Sequence, residues 1–453
     1  MKKVLVLFGG VSSEHEVSLV SARSVIQNIP RDRYEVLTLG ITKQGEWLLY
    51  EGDPEALPED NWLECGKRTP AVLSPDASHH GLLIFENGAA RVEHVDVVFP
   101  VLHGKNGEDG TMQGLLQLAQ LPFVGCGCTA SAITMDKAIT NAMTDVAGIA
   151  QAKWLPLTRD GYQKDAAALR QKAIGRLGFP IFVKPANAGS SVGVGKARNE
   201  TELADAIEKA FLHDDKLVLE EGIDGMEVEC AVLGNEKPKA STVGEVVPCN
   251  DFYDYEAKYI AADSELHIPA RLPADTLEAV RAAACRVFTE MGCSGLARVD
   301  FFVRKSDGAV LLNEPNTIPG FTPISMYPKL WEHTGLPYGE LLDRLIQLAL
   351  KNGSRRLTRR IPTFAKDVYH FGKRRYHRNC RPARNGRRRP KHVHDHRGLP
   401  LRHTGGLFTD LYGSRRRIGG LRYHPACGKR PPRYHDEDGE LPIGIDYGAR
   451  PAA

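Results

Sequence analysis

The stretch ARVDFFVRKSDGAVLLNEPN, residues 297–316, decides how this sequence folds and what it can bind. Its two ends, ARVDFF and LLNEPN, are largely apolar, as strands are, yet charged and amide residues interrupt both. Because side chains alternate across a strand, Arg298 and Asp300 point to one face. Glu314 and Asn316 do the same on the second strand. Two adjacent strands would therefore bring three oxygen ligands together beside one arginine.

This polar set has two interpretations. Carboxylate and amide oxygens suit Mg²⁺, which keeps nucleotide phosphates among its other ligands. The alternative is a buried salt-bridge cluster that only joins two strands. A solvated face does not explain charged residues in strands this apolar, so we take Asp300, Glu314 and Asn316 as a candidate metal site.

The N-terminal part of the chain follows an α/β pattern. Residues 1–125 alternate buried strands with helical segments, which predicts a parallel sheet flanked by helices. Strands are predicted from VLVLF at 4–8 and VDVVFPVLHG at 95–104, and helices over 15–27 and 112–119.

Two further units are predicted after this sheet. Residues 126–215 form a small second domain, with a helix that begins near Ser131 and contains the sequence MDK, and a strand, FPIFVKP, at 179–185. Residues 216–352 form a third domain with several strands and a closing helix over 338–351.

Residues 353–453 have a different character. They hold 25 Lys and Arg against 8 Asp and Glu, whereas residues 1–352 hold 34 against 48. Too few apolar residues remain to offset the entropy of ordering, so this basic tail is predicted to be disordered. Its composition resembles a shifted reading frame or an appended foreign segment. The alternative is a basic arm that binds nucleic acid or acidic polymers.

Composition also bears on location. The chain has no apolar run long enough to span a membrane, and the apolar segment after Met1 is too short for a signal peptide. Its nine cysteines are scattered and odd in number, which favours reduced thiols. We therefore expect a cytoplasmic protein without a membrane partner.

Two loops carry further candidate residues. KPANAGSSVGVG at 184–195 places a lysine before small residues that let backbone N–H groups surround phosphate oxygens, although a tight hairpin would use the same residues. LHGKNGEDGTMQG at 102–114 frames His103, Glu108 and Asp109 with glycines after a buried strand, where sheets of this class bind ligands. A structural turn before the next helix is the alternative.

The chain resembles the D-alanine–D-alanine ligases of the ATP-grasp superfamily. The similarity covers about residues 1–350, and the motifs occur in family order. The matching stretches are FGGVSSEHEVSLVSA, LHGKNGEDGTMQG, MDK, KPANAGSSVGVGKA, EEGIDGMEVECAVLG, FYDYEAKY and GLARVDFF followed by LLNEPNTIPGFTPISMYP. The resemblance implies a three-domain α/β ATP-grasp fold. A lid that shields the reaction from water is expected at 250–259.

The resemblance also implies the binding roles for ATP and metal. Lys137 and Lys184 would contact phosphates, Glu220 and the backbone near Ile223 would recognise adenine, and Glu227 the ribose. The set implied to bind ATP is Lys137, Lys184, Ser191, Glu220, Glu221, Ile223 and Glu227. Two Mg²⁺ ions, with Mn²⁺ as a substitute, would be held by Asp300, Glu314 and Asn316.

The implied reaction joins two D-alanines through an acyl phosphate for peptidoglycan synthesis, in a homodimer. The residues implied to be catalytic are Glu14, Ser190, Tyr259, Arg298 and Gly320. Those implied to bind the amino acids are His103, Lys258, Ser325 and Met326. Two alternatives remain. A D-alanine–D-lactate ligase is disfavoured because those relatives lack the tyrosine at position 259, and a nucleic-acid-binding protein would depend on the basic tail.

Overall fold

The computed structural model describes residues 1–189, 191–247 and 265–358 of the chain, with side chains to residue 354. These residues form three sheets with helices packed on them, and the predicted α/β class is confirmed. The bounds of the three predicted domains within this arrangement stay predictions.

The first sheet has seven strands in the order β6-β5-β4-β3-β2-β1-β7. Numbered β1 to β7 along the chain, the strands are Lys2–Gly9, Tyr34–Ile41, Trp47–Glu51, Lys67–Leu73, Gly81–Glu86, Ala89–His94 and Val97–Val101.

Only the β2-β1-β7 part of this sheet is parallel, and β2 to β6 pair antiparallel. The prediction of a wholly parallel sheet was therefore wrong. Three of the four connections between β2 and β6, at 42–46, 74–80 and 87–88, are too short for a helical crossover and allow only hairpins. The clearest is Asn87–Gly88, where φ is 54° and 75°, as tight hairpin turns require.

The parallel strands place one edge of this sheet beside a helix and a loop. Residues 4–8 of β1 are fully buried, and helix α1, His15–Asn28, packs on the sheet through Leu19, Ala22 and Val25. The loop 102–110 follows β7 and precedes α2, Thr111–Leu118. The ends of β1 and β7 thus bring the start of α1 and this loop to the same edge.

The second sheet has four strands in the order β10-β9-β11-β8. In chain order from β8 they are Trp154–Thr158, Ile181–Pro185, Gly195–Ala197 and Lys216–Glu221. The helices of this region, α3 to α7, are Cys128–Met135, Lys137–Val146, Arg159–Lys164, Ala166–Leu177 and Glu200–Ala210.

The single helix predicted through MDK is in fact two helices. Helix α3 ends at Met135, and Asp136 caps α4 because its carboxylate accepts hydrogen bonds from the N–H groups of Ala138 and Ile139, each at 3.1 Å. Aspartate at a helix N-cap satisfies donors that have no partner inside the helix. The break places Lys137 at the start of α4.

The third sheet has five strands in the order β14-β13-β12-β15-β16, all antiparallel. From β12 to β16 they are Gly225–Gly234, Lys239–Val247, Glu265–His267, Gly295–Arg304 and Val310–Asn316. The accompanying helices α8, α9 and α10 are Ala274–Glu290, Met326–His333 and Tyr338–Thr358.

Helix α10 continues beyond the predicted end of the folded part. Disorder was expected from residue 353, but the helix runs to Thr358, so that expectation was wrong for 353–358. The helix packs there on two other parts of the chain: a Cβ on Gly353 would stand 2.6 Å from Cγ of Pro122, and Asn352 donates a hydrogen bond at 3.0 Å to Asn235, between β12 and β13. Residues 359–453 lie outside the described part of the chain.

One hydrophobic cluster joins the first and third sheets. It contains Phe8 and Phe99 from the first sheet, Leu233 from β12, and Tyr327 and Leu345 from the C-terminal helices. Burying an apolar side chain of this size contributes about 2 kcal/mol, so the cluster holds the two sheets in a fixed relation. In the described residues, no helix is long and apolar enough to cross a membrane.

Candidate active site

A cavity of about 540 Å³ lies between the second and third sheets. Both sheets contribute charged side chains to its wall: Lys184 and Glu220 lie on the second sheet, and Glu227 and Glu314 on the third. The structure brings eight of the predicted site residues to this one cavity: Lys137, Lys184, Ser191, Glu220, Glu221, Ile223, Glu227 and Glu314.

Lys184 lines the cavity from the second sheet. It lies on β9, and its Nζ is 2.7 Å from Oε2 of Glu220 on the adjacent strand β11. Burial opposes the charge of Lys184, but the carboxylates of Glu220, Glu314 and Glu227 more than offset it, and the net pKa is raised. Lys184 therefore remains a cation inside the cavity.

Lys137 joins the start of α4 to the 186–194 loop. Its Nζ donates to the carbonyl of Ala188 at 2.9 Å and lies 3.4 Å from Oε2 of Glu314. Its backbone N–H donates to the carbonyl of Ala186 at 2.9 Å. In the same loop Ser191 has a φ of 59°, a conformation that non-glycine residues adopt mainly where the surroundings impose it. The lysine thus fixes the loop whose small residues face the cavity.

The three candidate metal ligands lie on β15 and β16, and of these Glu314 lines the cavity. The two strands are adjacent and pair Asp300 with Glu314 and Arg298 with Asn316, which confirms the predicted side-by-side arrangement. Asn316 donates to Oδ2 of Asp300 at 2.9 Å. Arg298 donates to both Asp300 oxygens, at 2.7 and 2.6 Å, and lies 2.9 Å from Oε2 of Glu229.

These oxygens fit the requirements of a magnesium ion. Asp300 and Glu314 are hard carboxylate ligands, Asn316 offers an amide oxygen, and Asp300 is held in place by its neighbours. No group of three or more His, Cys, Asp or Glu side chains in the described residues forms a metal cage by itself. Two carboxylates without a full cage are typical of Mg²⁺ that is bound together with phosphates.

A β-bulge brings in a residue that sequence reasoning missed. The register shifts after Asp300, so Asn313 has no direct partner in β15. Asn313 and Glu314 consequently both line the cavity, although neighbours in a regular strand face opposite ways. The Oδ1 of Asn313 accepts a hydrogen bond from Lys184 at 3.3 Å. A bulge leaves no periodic signal that would reveal it from sequence.

Other residues in or behind the cavity wall were also missed. Asn141 donates to Oε1 of Glu220 at 3.0 Å and so holds it from the side of α4. Lys196 and Arg271 bring further positive charge to the wall, and Phe182 an aromatic face. Phe182 and Lys196 lie within stretches that the sequence analysis singled out, but only the packing of the two sheets shows that their side chains line the cavity.

Glu14 brings the first sheet to this site. It is 5% exposed and immediately precedes α1. A Cβ on Gly189 would stand 2.6 Å from its Oε2, so the carboxylate lies against the 186–194 loop. Gly104 of the 102–110 loop contacts the same carboxylate. Glycine is needed at both positions because any side chain would displace Glu14.

His103 and Glu108 lie in the 102–110 loop. His103 is buried, which lowers its pKa to about 4, and its two ring nitrogens contact the carbonyl of Ile318 and the hydroxyl of Ser21 at 3.1 and 3.0 Å. Burial, and then the charge of Glu14, raises the pKa of Glu108 to about 8. Because the pKa of His103 is about 4, its ring is uncharged at neutral pH.

Gly320 and Ser325 lie in the 317–325 loop between β16 and α9. The hydroxyl of Ser325 accepts a hydrogen bond from the N–H of Thr322 at 3.0 Å, and a Cβ on Gly320 would stand 2.6 Å from that oxygen. The loop thus needs glycine at 320. Met326 is 5% exposed and packs against Gly244 of β13, so its side chain belongs mainly to the core.

Two family models match this chain, one at each end of the folded part. The model described as D-ala D-ala ligase N-terminus matches residues 3–126, and D-ala D-ala ligase C-terminus matches residues 143–347. The chain belongs to the D-alanine–D-alanine ligase family.

Individual relatives agree with this family. A D-alanine–D-alanine ligase from Acetivibrio thermocellus is 49% identical over 77% of this chain and 96% of its own length. One from Caldicellulosiruptor bescii is 49% identical over 77% and 95%.

Solved structures of ligases resemble the described fold. The VanG D-Ala:D-Ser ligase from Enterococcus faecalis is 42% identical, with a TM-score of 0.70 over 77% of this chain and 99% of its own. The D-alanine–D-alanine ligase from Coxiella burnetii is 34% identical, with a TM-score of 0.68 over 82% and 100%. Three predicted residues of the ligase site, Ser190, Lys258 and Tyr259, lie outside the described residues, as does the segment 250–259.

Proposed function

We propose that this chain joins two D-alanine molecules into D-alanyl-D-alanine at the expense of ATP, which becomes ADP and phosphate. The observation that carries the proposal is the shared cavity: all seven residues expected to bind ATP line it, together with Glu314 of the candidate metal site. Membership in the ligase family supplies the substrate, and peptidoglycan precursor synthesis is the process that this product serves.

In the first step a carboxylate attacks a phosphate, and the repulsion between these two anions opposes the reaction. The γ-phosphoryl group passes to the carboxylate oxygen of the first D-alanine, the bond to ADP breaks, and an acyl phosphate forms. Lys137 and Lys184 would offset the repulsion because both face the one cavity, and the neighbouring carboxylates raise the pKa of Lys184. Mg²⁺ bound by Asp300, Glu314 and Asn316 would supply further neutralisation of the phosphates.

The second step forms the peptide bond. The free amine of the second D-alanine attacks the acyl carbon, phosphate leaves, and the amine loses a proton. Negative charge develops on the carbonyl oxygen, and Arg298 with the N–H of Gly320 would stabilise it. A prepositioned donor of this kind contributes on the order of 3 kcal/mol. Glu14, which is buried beside Gly189, would bind the ammonium group of the first D-alanine.

The remaining assignments rest on the family. We assign Ser190, Tyr259 and Lys258 to the substrate side of the site, with Ser325 and Lys258 binding the second carboxylate. Two Mg²⁺ ions, a homodimer and a cytoplasmic location complete the proposal. The basic tail takes no part in the reaction, and nucleic-acid binding is not favoured as the function.

The decisive experiment measures phosphate release and dipeptide formation by the full-length protein with ATP and D-alanine. D-serine and D-lactate, each added with D-alanine, test the second substrate, and L-alanine is the control. We expect phosphate release with D-alanine alone and one dipeptide per phosphate. A mixed product formed in preference to D-alanyl-D-alanine would reassign the second substrate, and no D-alanine-dependent phosphate release would refute the ligase function.

A further inference from the structure

The 317–325 loop is held by side chains from a distant part of the chain. Ile318 donates its N–H to Oε1 of Glu108 at 3.1 Å, and its carbonyl contacts Nδ1 of His103 at 3.1 Å. Phe321 donates its N–H to the hydroxyl of Ser21 at 3.2 Å. The backbone N–H and carbonyl of Ile318 and the N–H of Phe321 are therefore fixed by side chains of helix α1 and of the 102–110 loop.

The directions of these hydrogen bonds follow from the chemistry of the groups. A carbonyl oxygen only accepts, so Nδ1 of His103 carries the proton and donates it to Ile318. Nε2 of the neutral ring then accepts from the hydroxyl of Ser21 at 3.0 Å. A single chain of donors thus runs from Phe321 through Ser21 and His103 to Ile318, and Gly320 lies within the segment that it encloses.

Glu108 also fixes the backbone of the 317–325 loop, at the N–H of Ile318. Its Oε2 accepts the N–H of Gly104 at 2.8 Å, while Oε1 accepts the N–H of Ile318. One carboxyl group therefore bridges the 102–110 loop and the 317–325 loop. Its neighbour Asp109 also accepts two backbone N–H groups, from Asn106 at 2.8 Å and Thr111 at 3.0 Å. Neither of these two hydrogen bonds reaches the 317–325 loop.

We propose that Ser21, His103 and Glu108 are positioning residues, which hold the backbone from Ile318 to Phe321 so that the N–H of Gly320 points at the oxyanion. The inference rests on the proposed function, because it explains how that function's oxyanion donor is oriented. It also changes the role expected of His103: both ring nitrogens bind protein groups, so the ring orients the loop instead of binding the amino acid directly.

The physical reason for three anchors is the sensitivity of catalysis to small displacements. A misplacement of about 1 Å can lower a rate by about a hundredfold. Backbone N–H groups in loops move easily unless neighbouring peptide groups are fixed. Here Ile318 and Phe321 are fixed on either side of Gly320, and Ser21 and His103, which anchor them, are 0% and 4% exposed.

Glu108→Gln is the informative variant, with Asp109→Asn as its matched control. The amide of glutamine keeps the shape of the side chain, but its NH₂ group cannot accept one of the two backbone N–H groups. We expect kcat for dipeptide formation to fall by about ten- to a hundredfold, with KM for ATP changed by less than about twofold. Asp109→Asn, which changes a neighbour without a bond to the 317–325 loop, should retain nearly wild-type kcat.

A second readout separates orientation from general damage. If the acyl phosphate still forms while its aminolysis is impaired, water will hydrolyse part of it, and the phosphate released per dipeptide will rise above the wild-type ratio in Glu108→Gln. Equal losses of kcat in both variants, or a raised KM for D-alanine with unchanged kcat and an unchanged phosphate ratio, would overturn the positioning role.

Hydrogen exchange gives a test that does not depend on activity. Peptides covering 316–322 of the full-length protein should exchange faster in Glu108→Gln than in Asp109→Asn or wild type. Unchanged exchange together with unchanged kcat would refute the anchor. Absence of D-alanine-dependent phosphate release from the wild-type protein would refute the ligase function, whereas the exchange result would still test the contacts.

Discussion

Arg298 offers a test in which folding and catalysis can be separated by two substitutions. Its guanidinium donates to both oxygens of Asp300 at 2.7 and 2.6 Å and lies 2.9 Å from Oε2 of Glu229. The three side chains are 16%, 4% and 4% exposed, in the order Arg298, Asp300, Glu229. Arg298→Met removes the charge, whereas Arg298→Lys keeps it without the two-pronged geometry.

The expected magnitudes follow from these contacts. Removing one partner of a buried ion pair costs about 3–5 kcal/mol, and the partial exposure of Arg298 favours the lower end for Arg298→Met. Arg298→Lys should lose about 1–2 kcal/mol of stability because an ammonium group replaces only part of the bidentate pair. Its kcat should fall by about a hundredfold, since the donor to the oxyanion is displaced.

Three measurements distinguish the two effects. Urea unfolding gives the free energy of unfolding, circular dichroism the folded state, and D-alanine-dependent phosphate release the kcat. We expect Arg298→Lys to be folded and nearly inactive, and Arg298→Met to be inactive and much less stable. A folded Arg298→Lys protein with kcat within about threefold of wild type would refute the oxyanion role.

Three other predictions follow from single contacts. Glu314→Gln should lower kcat by at least about a hundredfold with an unchanged circular dichroism spectrum, and near-wild-type turnover would remove Glu314 from the metal site. Because His103 has a pKa of about 4 against 6.5 for the free group, the unfolded state binds the proton first, and unfolding free energy should fall by up to about 3 kcal/mol from pH 6.5 to 4. His103→Gln should reduce this pH dependence of the free energy of unfolding, whereas His94→Gln, at an exposed position, should not. If urea unfolding gave the same pH dependence for both variants, the assignment of the effect to His103 would be wrong. A chain ending at Thr358 should keep the phosphate release and the thermal midpoint of the full-length protein. A chain ending at Asn352 should unfold at a temperature a few degrees lower, because the contact of Gly353 with Pro122 is lost. Equal midpoints of the two shortened chains would contradict this contact.

The acidic strands were predictable because strand alternation is a local rule. Arg298, Asp300, Glu314 and Asn316 interrupt apolar runs at a spacing of two, and the structure pairs them across adjacent strands. The lysines were found by resemblance, with Lys184 also marked by the loop that follows it. The direct contacts of Lys184 with Glu220 and of Lys137 with Glu314 depend on the packing of separate elements.

Other features could not be predicted because they arise from geometry between elements. The antiparallel half of the first sheet depends on hairpins formed by short strands in residues 47–94, where alternation is weak. The bulge that turns Asn313 into the cavity leaves no trace in the sequence period. The last turns of α10 form because Gly353 meets Pro122, a contact between residues far apart in the chain.

The charges of the site explain how a cavity so rich in ionic groups can exist before ATP enters it. Lys184 is 2.7 Å from Glu220, and Lys137 is 3.4 Å from Glu314. Burial alone would lower the pKa of Lys184, and the neighbouring carboxylates raise it, so its ammonium group stays charged. The contact with Glu314 orients the side chain of Lys137. The Lys137–Glu314 pair also links α4 to β16 of the third sheet across the cavity. In the proposed function, phosphate oxygens would replace carboxylate oxygens around these lysines, and little of the binding energy would go into ordering them.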